Sequence, residues 1–314
     1  MAEFNYHKPV MLKEVLSFVD TKRPITYVDM TLGRAGHAQE ILSIAKKQSK
    51  FIGVDKDLKA LEFSKNVLSR FEKKAELNYL HAPYSKAVEA IKNTGVKGAD
   101  FILMDIGVSS PQFDDPSRGF SYRFDAPLDM RMDQTQNTTA RDIVNTASEK
   151  ELVHIFRDLG ECSIYYPVVK RILAERESNP IETTFQLVDI IKQSLPAKEL
   201  RKAGHPAKQF FLGLRYEVNG EINELREGLV AGIEFLNPHG RLVIISFNSE
   251  EDKIVKETFK KYVSVQKSDK YHPLLNEKEP SYIALTKKPL VPSEDQIEDN
   301  NRSKPSILRA IERR

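Results

Sequence analysis

The stretch TYVDMTLGRAGHAQEIL, residues 26–42, sets the reading of the whole chain. Tyr27 to Met30 is a short apolar run that carries an acid, Asp29. A small turn follows around Gly33 and Gly36, and apolar residues then return at helical spacing at Ile41, Leu42, Ile44 and Ala45. Strand, glycine turn and helix in that order open a βαβ unit. Three further apolar runs, Phe51 to Val54, Leu77 to Leu80 and Phe101 to Met104, are separated by stretches of helical period such as Leu58, Leu61, Val67, Leu68 and Phe71. Alternation of strand and helix puts the chain in the α/β class with a largely parallel sheet.

The alternation stops after Asp105. Roughly thirty residues rich in Ser, Pro, Asp and Gly follow with no steady period, too long for an ordinary connection. From Ala140 to about Glu234 the helical period dominates, with helix starts expected at Ser148 (Glu151 three residues on) and Thr183 (Gln186 three residues on), the spacing of a capping box. RLVIISF, 241–247, reads as a returning strand after the turn NPHG. Val263 to Val265 with Tyr282 to Leu285 is expected to add an antiparallel edge. The tail from Lys287 is polar and Pro-interrupted, expected to pack only in part, with SILRAIERR a short helix at best. A helical block is thus inserted into an α/β sheet. There is no internal repeat.

Composition narrows the function. A chain of 314 residues allows one large domain or two ordinary ones, and 40% hydrophobic with 30% charged residues can bury a core. The single cysteine, Cys162, excludes an intrachain disulfide and any zinc site built from several thiolates. MAEFNYHKPVML, residues 1–12, carries Glu3, Asn5, His7 and Lys8 where a signal peptide needs apolar residues, and no run approaches a bilayer span, so the expectation is a soluble cytoplasmic protein with no membrane partner. A net charge of +3 does not identify a nucleic-acid binder, but RSKPSILRAIERR, 302–314, holds five Arg/Lys against one Glu. The histidines 7, 37, 81, 154, 205, 239 and 272 show no HxxxH or HExxH spacing, and no G-x-S-x-G elbow occurs, which disfavours a metal site and an α/β-hydrolase.

The turn itself points to an adenosine-containing cofactor. Strands one and two end in Asp29 and Asp55. An acid ending strand two, here 22 residues after Gly33, can accept hydrogen bonds from both hydroxyls of a ribose. The turn lacks a full G-x-G-x-x-G and the Lys-Ser/Thr of a phosphate-binding loop, so pyrophosphate is not indicated. S-adenosylmethionine has adenosine without phosphate and fits. The same residues also read as a tight turn with a surface aspartate, and by themselves they leave the two readings level.

The long stretch MDIGVSSPQFDDPSRGFSYRFDAPLDMRMD, 104–133, places an acid and a Gly/Ser/Pro turn beyond the carboxyl end of strand four, where α/β sheets hold substrate. With GVSSPQ, RGFSY and PLDMRMD, the sequence resembles the bacterial 16S ribosomal RNA cytosine-N4 methyltransferases, the MraW-type family. The resemblance runs nearly end to end through HKPVMLKEVL, VDMTLGRAGH, GVDKD, HAPYS, HPA at 205–207, LRYEVNGE at 214–221, GRLVIISF and RSKPSILRAIER. It implies a class I, Rossmann-like S-adenosylmethionine methyltransferase sheet (1–136 and 214–314) with an all-helical domain inserted at 137–213 for RNA recognition. It also implies 16S ribosomal RNA, within the small subunit, as partner. Carried over, it sets the cofactor against Ala35, Gly36 and His37, gives the ribose to Asp55, places Tyr84 beside the adenine, and closes the site with Asp105 and Gln112. His37 as a helix cap and Tyr84 as a core aromatic are the plainer alternatives.

Cytosine N4 is a weak nucleophile whose protons need acceptors, and the family lacks the Asn/Asp-Pro-Pro-aromatic turn common in amine methyltransferases. Asp105 and the backbone carbonyls around Gly107 to Ser109 are the candidate acceptors, and without that turn Asp105 reads equally as a cofactor ligand only. A base turned out of its stack could rest on Phe113, Phe120, Tyr122 or Phe124, with Arg118, Arg123, Arg131, Arg302, Lys304 and Arg309 meeting RNA. A loop packed on its own side chains is the alternative. Three segments depart from the family's pattern: CSIYYPVV, which follows Gly160 and Glu161, KQFF at 208–211, and SFNSEED at 246–252. They keep open a ribosome-assembly factor that has lost turnover; a nicotinamide dehydrogenase is the third reading.

Overall fold

The computed structural model describes residues 9–264 and 280–314; His7, Val265 and His272, named above, lie outside them. Seven strands form one sheet: β1 Thr26–Asp29, β2 Ser49–Asp55, β3 Ala75–His81, β4 Ala99–Asp105, β5 Leu236–Ser246, β6 Tyr282–Ala284 and β7 Ile307–Arg313, in the order β3-β2-β1-β4-β5-β7-β6. The first five run parallel, β7 pairs antiparallel with β5, and β6 pairs antiparallel with β7. The order reverses between β1 and β4, so the carboxyl ends of these strands frame a crevice at a topological switch point.

Alternation within each strand feeds two apolar layers. Val28, Ile52, Ile102 and Ile244 face one way, against Val88, Ile91, Leu229 and Ile254; Tyr27, Phe51, Phe101 and Val243 face the other, against Val15, Ile41, Leu42 and Leu68. A sheet covered on both faces explains why its strands read as continuous apolar runs. Among the described residues, no helix is long and apolar enough to cross a membrane.

The chain divides into two compact units, 1–107 with 222–314, and 108–221. The second begins at residue 108 rather than 137 and ends at 221 rather than 213. The reason is packing: Phe120, Leu128, Met130 and Met132 of the long loop are buried in one cluster with Ile143, Phe156, Leu187 and Leu214 of the helices. Both expected capping boxes form, at Ser148 with Glu151 and at Thr183 with Gln186.

Three readings at the chain's far end are corrected. The residues NPHG lie inside β5, where the ladder to β4 shifts register between Ala99 and Phe101 and His239 takes a φ of 62°. SILRAIERR is no helix: Ile307–Arg313 pairs with β5, and Leu308, Ala310 and Ile311 are fully buried. Leu308 and Ala310 enter one apolar layer and Ile311 the other, and pairing with an open sheet edge outweighs the helix propensity of Ala, Arg and Glu. Val263 ends the helix Ser249–Val263, Val265 lies outside the described residues, and Tyr282–Ala284 pairs at the antiparallel edge.

Burial of β7 makes a direct prediction. Leu308→Ala should cost about 2 to 5 kcal/mol of stability in chemical denaturation, the range for a leucine deleted from a packed core. A loosely attached tail would lose almost nothing.

Candidate active site

The turn after β1 is fixed from three sides. Thr31 N–H donates to Asp29 Oδ1 at 3.1 Å, Leu32 N–H to Val54 O at 3.0 Å, and Gly33 N–H to an Asp55 carboxylate oxygen at 2.7 Å. From the helix Leu58–Leu68, Ser64 Oγ donates to Gly33 O at 2.7 Å. Gly33 and Ala35 take left-handed φ values of 51° and 59°, the second unusual for a residue with a Cβ. Gly36 begins the helix Gly36–Ile44, and a Cβ there would stand 2.9 Å from Pro9 Cγ. Only glycine fits at that point.

Three acids end β1, β2 and β4. Asp29 is almost fully buried and accepts from the Tyr27 hydroxyl at 2.8 Å as well as from Thr31. Half-buried Asp55 accepts from Gly33 N–H on one oxygen and from Asp57 N–H, at 2.8 Å, on the other. Burial pushes the carboxyls of both up to about 6. Asp105 N–H donates to Thr31 Oγ1 at 2.6 Å, which ties β4 to the turn. Its Oδ1 is buried without a hydrogen-bond partner, and burial raises its carboxyl to about 7.

His37 does not cap its helix. Its Nε2 lies 2.8 Å from Val10 O and must donate, so the neutral ring presents an unprotonated Nδ1, 3.6 Å from Asp105 Oδ2. Burial lowers its pKa, opposed by the Val10 carbonyl and Asp29. Tyr84 opens the helix Tyr84–Lys92, is 8% exposed, and packs so tightly on Gly228 that a Cβ there would reach its ring. Lys56 Nζ lies 6.0 Å from the Tyr84 ring centroid and pairs with Glu224 at 3.3 Å.

Ala35, Gly36, His37, Asp55 and Asp105 therefore meet around one turn. Gln112 belongs to the second unit, where it is buried and its side chain accepts from Ser109 N–H at 3.0 Å in a capping box. Tyr27, Asp29 and Thr31 belong to the same hydrogen-bonded network and were not among the expected site residues. The available signal was the acid ending an apolar strand, the feature that singled out Asp105.

The expected RNA contacts are redistributed. Arg118 is buried and donates to the carbonyls of Arg131 and Met132, both at 2.9 Å. Arg131 grips Asp129 at 2.9 and 2.7 Å, and Arg309 grips Asp252 at 2.6 and 2.9 Å. These three hold the chain's own loops and strands, because a desolvated guanidinium is used where carbonyls or a carboxylate meet its fork. Arg123, Arg302 and Lys304 are exposed. Of the aromatics, Phe120 is buried and Tyr122 stacks on His205 at 4.3 Å, whereas Phe113 and Phe124 are exposed. Exposed Phe185 was missed; its neighbour Thr184 donates to Phe124 O at 2.7 Å.

The raised Asp105 carboxyl has a stability signature. Between its unfolded value near 3.8 and its folded value near 7 the folded chain holds a proton that the unfolded chain has released, so this residue's contribution falls as pH rises through that window. Relative to the parent, Asp105→Asn should gain stability between pH 4 and pH 8 in urea titrations. Parallel pH profiles would show that the acid is not perturbed.

Residues 4–314 match the model of the MraW methylase family. Over 309 residues the chain is 42% identical to the ribosomal RNA small subunit methyltransferase H of Halothermothrix orenii, covering 98% of each. To the protein of the same name from Lactiplantibacillus plantarum it is 39% identical over 314 residues, covering 100% of this chain and 98% of that one. A solved structure described as a putative rRNA-methylase from Clostridium thermocellum aligns over 96% of this chain and 95% of its own at 11% identity, with a TM-score of 0.44, too loose a likeness to add weight. With a family match that spans the sheet, the crevice turn and the helical unit alike, this chain belongs to the MraW methylase family.

Proposed function

We infer that this chain transfers a methyl group from S-adenosylmethionine to the exocyclic N4 of a cytidine in the 16S RNA of the small ribosomal subunit. The observation that carries this reading is the end-to-end match to small-subunit ribosomal RNA methyltransferases. The site suits the cofactor on its own terms, because Asp105 keeps a buried acceptor that nothing in the described chain fills.

Ala35 and Gly36 would bring backbone close to the cofactor, where Gly36 leaves no side chain in the way. Each oxygen of Asp55 uses one lone pair on a backbone N–H, which leaves capacity on both for ribose hydroxyls. Tyr84, 8% exposed, would line the adenine side. When bound, S-adenosylmethionine supplies a methyl group already activated on a sulfonium sulfur, so no metal or covalent intermediate is required of the protein.

The rest falls to the chain. Cytosine N4 shares its lone pair with the ring, so the residues must hold the amine in line and take its proton as the new bond forms. The Asp105 carboxylate is the proton acceptor. Its Oδ1 has no hydrogen-bond partner among the described residues and so has a lone pair to offer the amine's proton. In the second unit, exposed Arg123 meets phosphate, and exposed Phe113, Phe124 and Phe185 offer faces on which unpaired bases stack. Arg302 and Lys304 offer further phosphate contacts from the first unit.

Tritiated methyl transfer to small subunits that lack the modification tests the reading. Incorporation into cytidine N4 is expected, whereas RNA binding without transfer would leave an assembly factor. Calorimetry should find S-adenosylmethionine bound and NAD not. Asp55→Ala should weaken cofactor binding by about 1.5 to 3 kcal/mol through loss of charge-assisted bonds, and unchanged affinity in a folded variant would make Asp55 a turn residue only. With cofactor saturating, Asp105→Asn should slow single-turnover transfer by orders of magnitude; a parental rate would remove it from the chemistry.

A further inference from the structure

The following inference rests on the methyl-donor reading above and concerns the charge of the cofactor. Asp105 ends β4 with Oδ1 buried and, among the described residues, without a hydrogen-bond partner; burial raises its carboxyl and no cation is among the groups that oppose the rise. From the helix Gly36–Ile44, His37 turns its unprotonated Nδ1 toward Oδ2 at 3.6 Å and keeps its proton on the Val10 side. From β1, Asp29 adds a like charge, and the Tyr27 hydroxyl is committed to Asp29. Burial is what raises the Asp105 carboxyl.

A desolvated carboxylate in such surroundings either takes up a proton or waits for a cation brought from outside. S-adenosylmethionine carries a positive charge on sulfur that the demethylated product, S-adenosylhomocysteine, lacks; the adenosine and amino-acid parts of the two are the same. We propose that Asp105 makes this site selective for the charged methyl donor over its neutral product, so that the used cofactor loses its hold as the charge leaves it. Asp55 and the turn backbone hold both compounds alike. Selectivity between them therefore falls to Asp105, whose Oδ1 has no hydrogen-bond partner among the described residues.

Protons compete with the donor for this carboxylate. The ionised acid favours the sulfonium, so selectivity is complete well above pH 7 and declines as pH falls through the folded value of about 7. Linkage for one such group gives about a tenfold loss between pH 8 and pH 6. Taking the ratio of the two dissociation constants cancels contributions common to both ligands, including those of Asp55 and the ligand's own amino acid.

Calorimetric titration of the full chain with S-adenosylmethionine, S-adenosylhomocysteine and sinefungin, whose amine replaces the methyl sulfonium with another cation, tests this between pH 6 and pH 8.5. The expected result is a product-to-donor ratio of dissociation constants that rises about tenfold from pH 6 to pH 8, with sinefungin following the donor. Asp105→Asn should flatten the ratio. Identical pH profiles for donor and product would overturn the inference while leaving the methyl-donor reading in place, and so would a folded Asn variant that keeps the parental ratio. Failure of both compounds to bind at every pH would overturn the reading and the inference together. The parental profile decides the matter even if the variant does not fold.

Discussion

The whole crevice depends on carboxylates that accept backbone N–H groups at the ends of neighbouring strands. The turn after β1 needs left-handed backbone at Gly33 and again at Ala35, where a Cβ makes it costly. Asp29 fixes the entrance through Thr31, and Asp55 fixes the middle through Gly33. Thr31 then accepts from the backbone of Asp105, so three strands share one hydrogen-bonded knot. Parallel pairing of β2, β1 and β4 brings the knot together, because their carboxyl ends must lie side by side.

Much of this was legible in the sequence because it follows from short-range pattern. The first four strands, the acids that end three of them and both capping boxes were visible as apolar runs, terminal carboxylates and fixed spacings. Tertiary pairing and packing were not. β7 looked like a frayed helix because Ile307, Leu308, Ala310 and Ile311 have helical spacing and nothing local announces that they will find the edge of β5. The second unit begins at 108 because Phe120, Leu128, Met130 and Met132 pack with distant helices, and a loop without periodicity gives no sign of which core it will join. Similarly, Arg118, Arg131 and Arg309 carry the same letter as Arg123. Only structure separates a guanidinium consumed by the fold from one open to solvent.

The departures from the family's pattern have local structural roles. Pro167 sits in the first turn of the helix Tyr166–Ser178, where its missing N–H costs nothing. Phe210 and Phe211 are buried, the first edge-on to Phe156 at 5.2 Å and the second edge-on to Tyr122 at 5.7 Å. Asn248 caps the helix Ser249–Val263 by accepting from Glu251 N–H at 3.0 Å. Changes of this kind repack a core or start a helix. They bear on how these segments are held and leave the crevice residues Ala35, Gly36, His37, Asp55 and Asp105 unchanged.

Comparison of Asp29 with Asp105 separates support from function in the same knot. Both are acids ending apolar strands, and burial raises the carboxyls of both. Asp29 has its charge shared out, with the Tyr27 hydroxyl on one oxygen and the Thr31 N–H on the other. Asp105 receives no such partner at Oδ1, and the nearest ring nitrogen offers it a lone pair instead of a proton. A fold that needed Asp105 only for structure would gain by pairing that oxygen or by replacing the acid with an apolar side chain, since an orphaned buried acceptor costs on the order of 1 to 3 kcal/mol. The proposed pairing with the methyl donor would supply the partner that this oxygen lacks among the described residues.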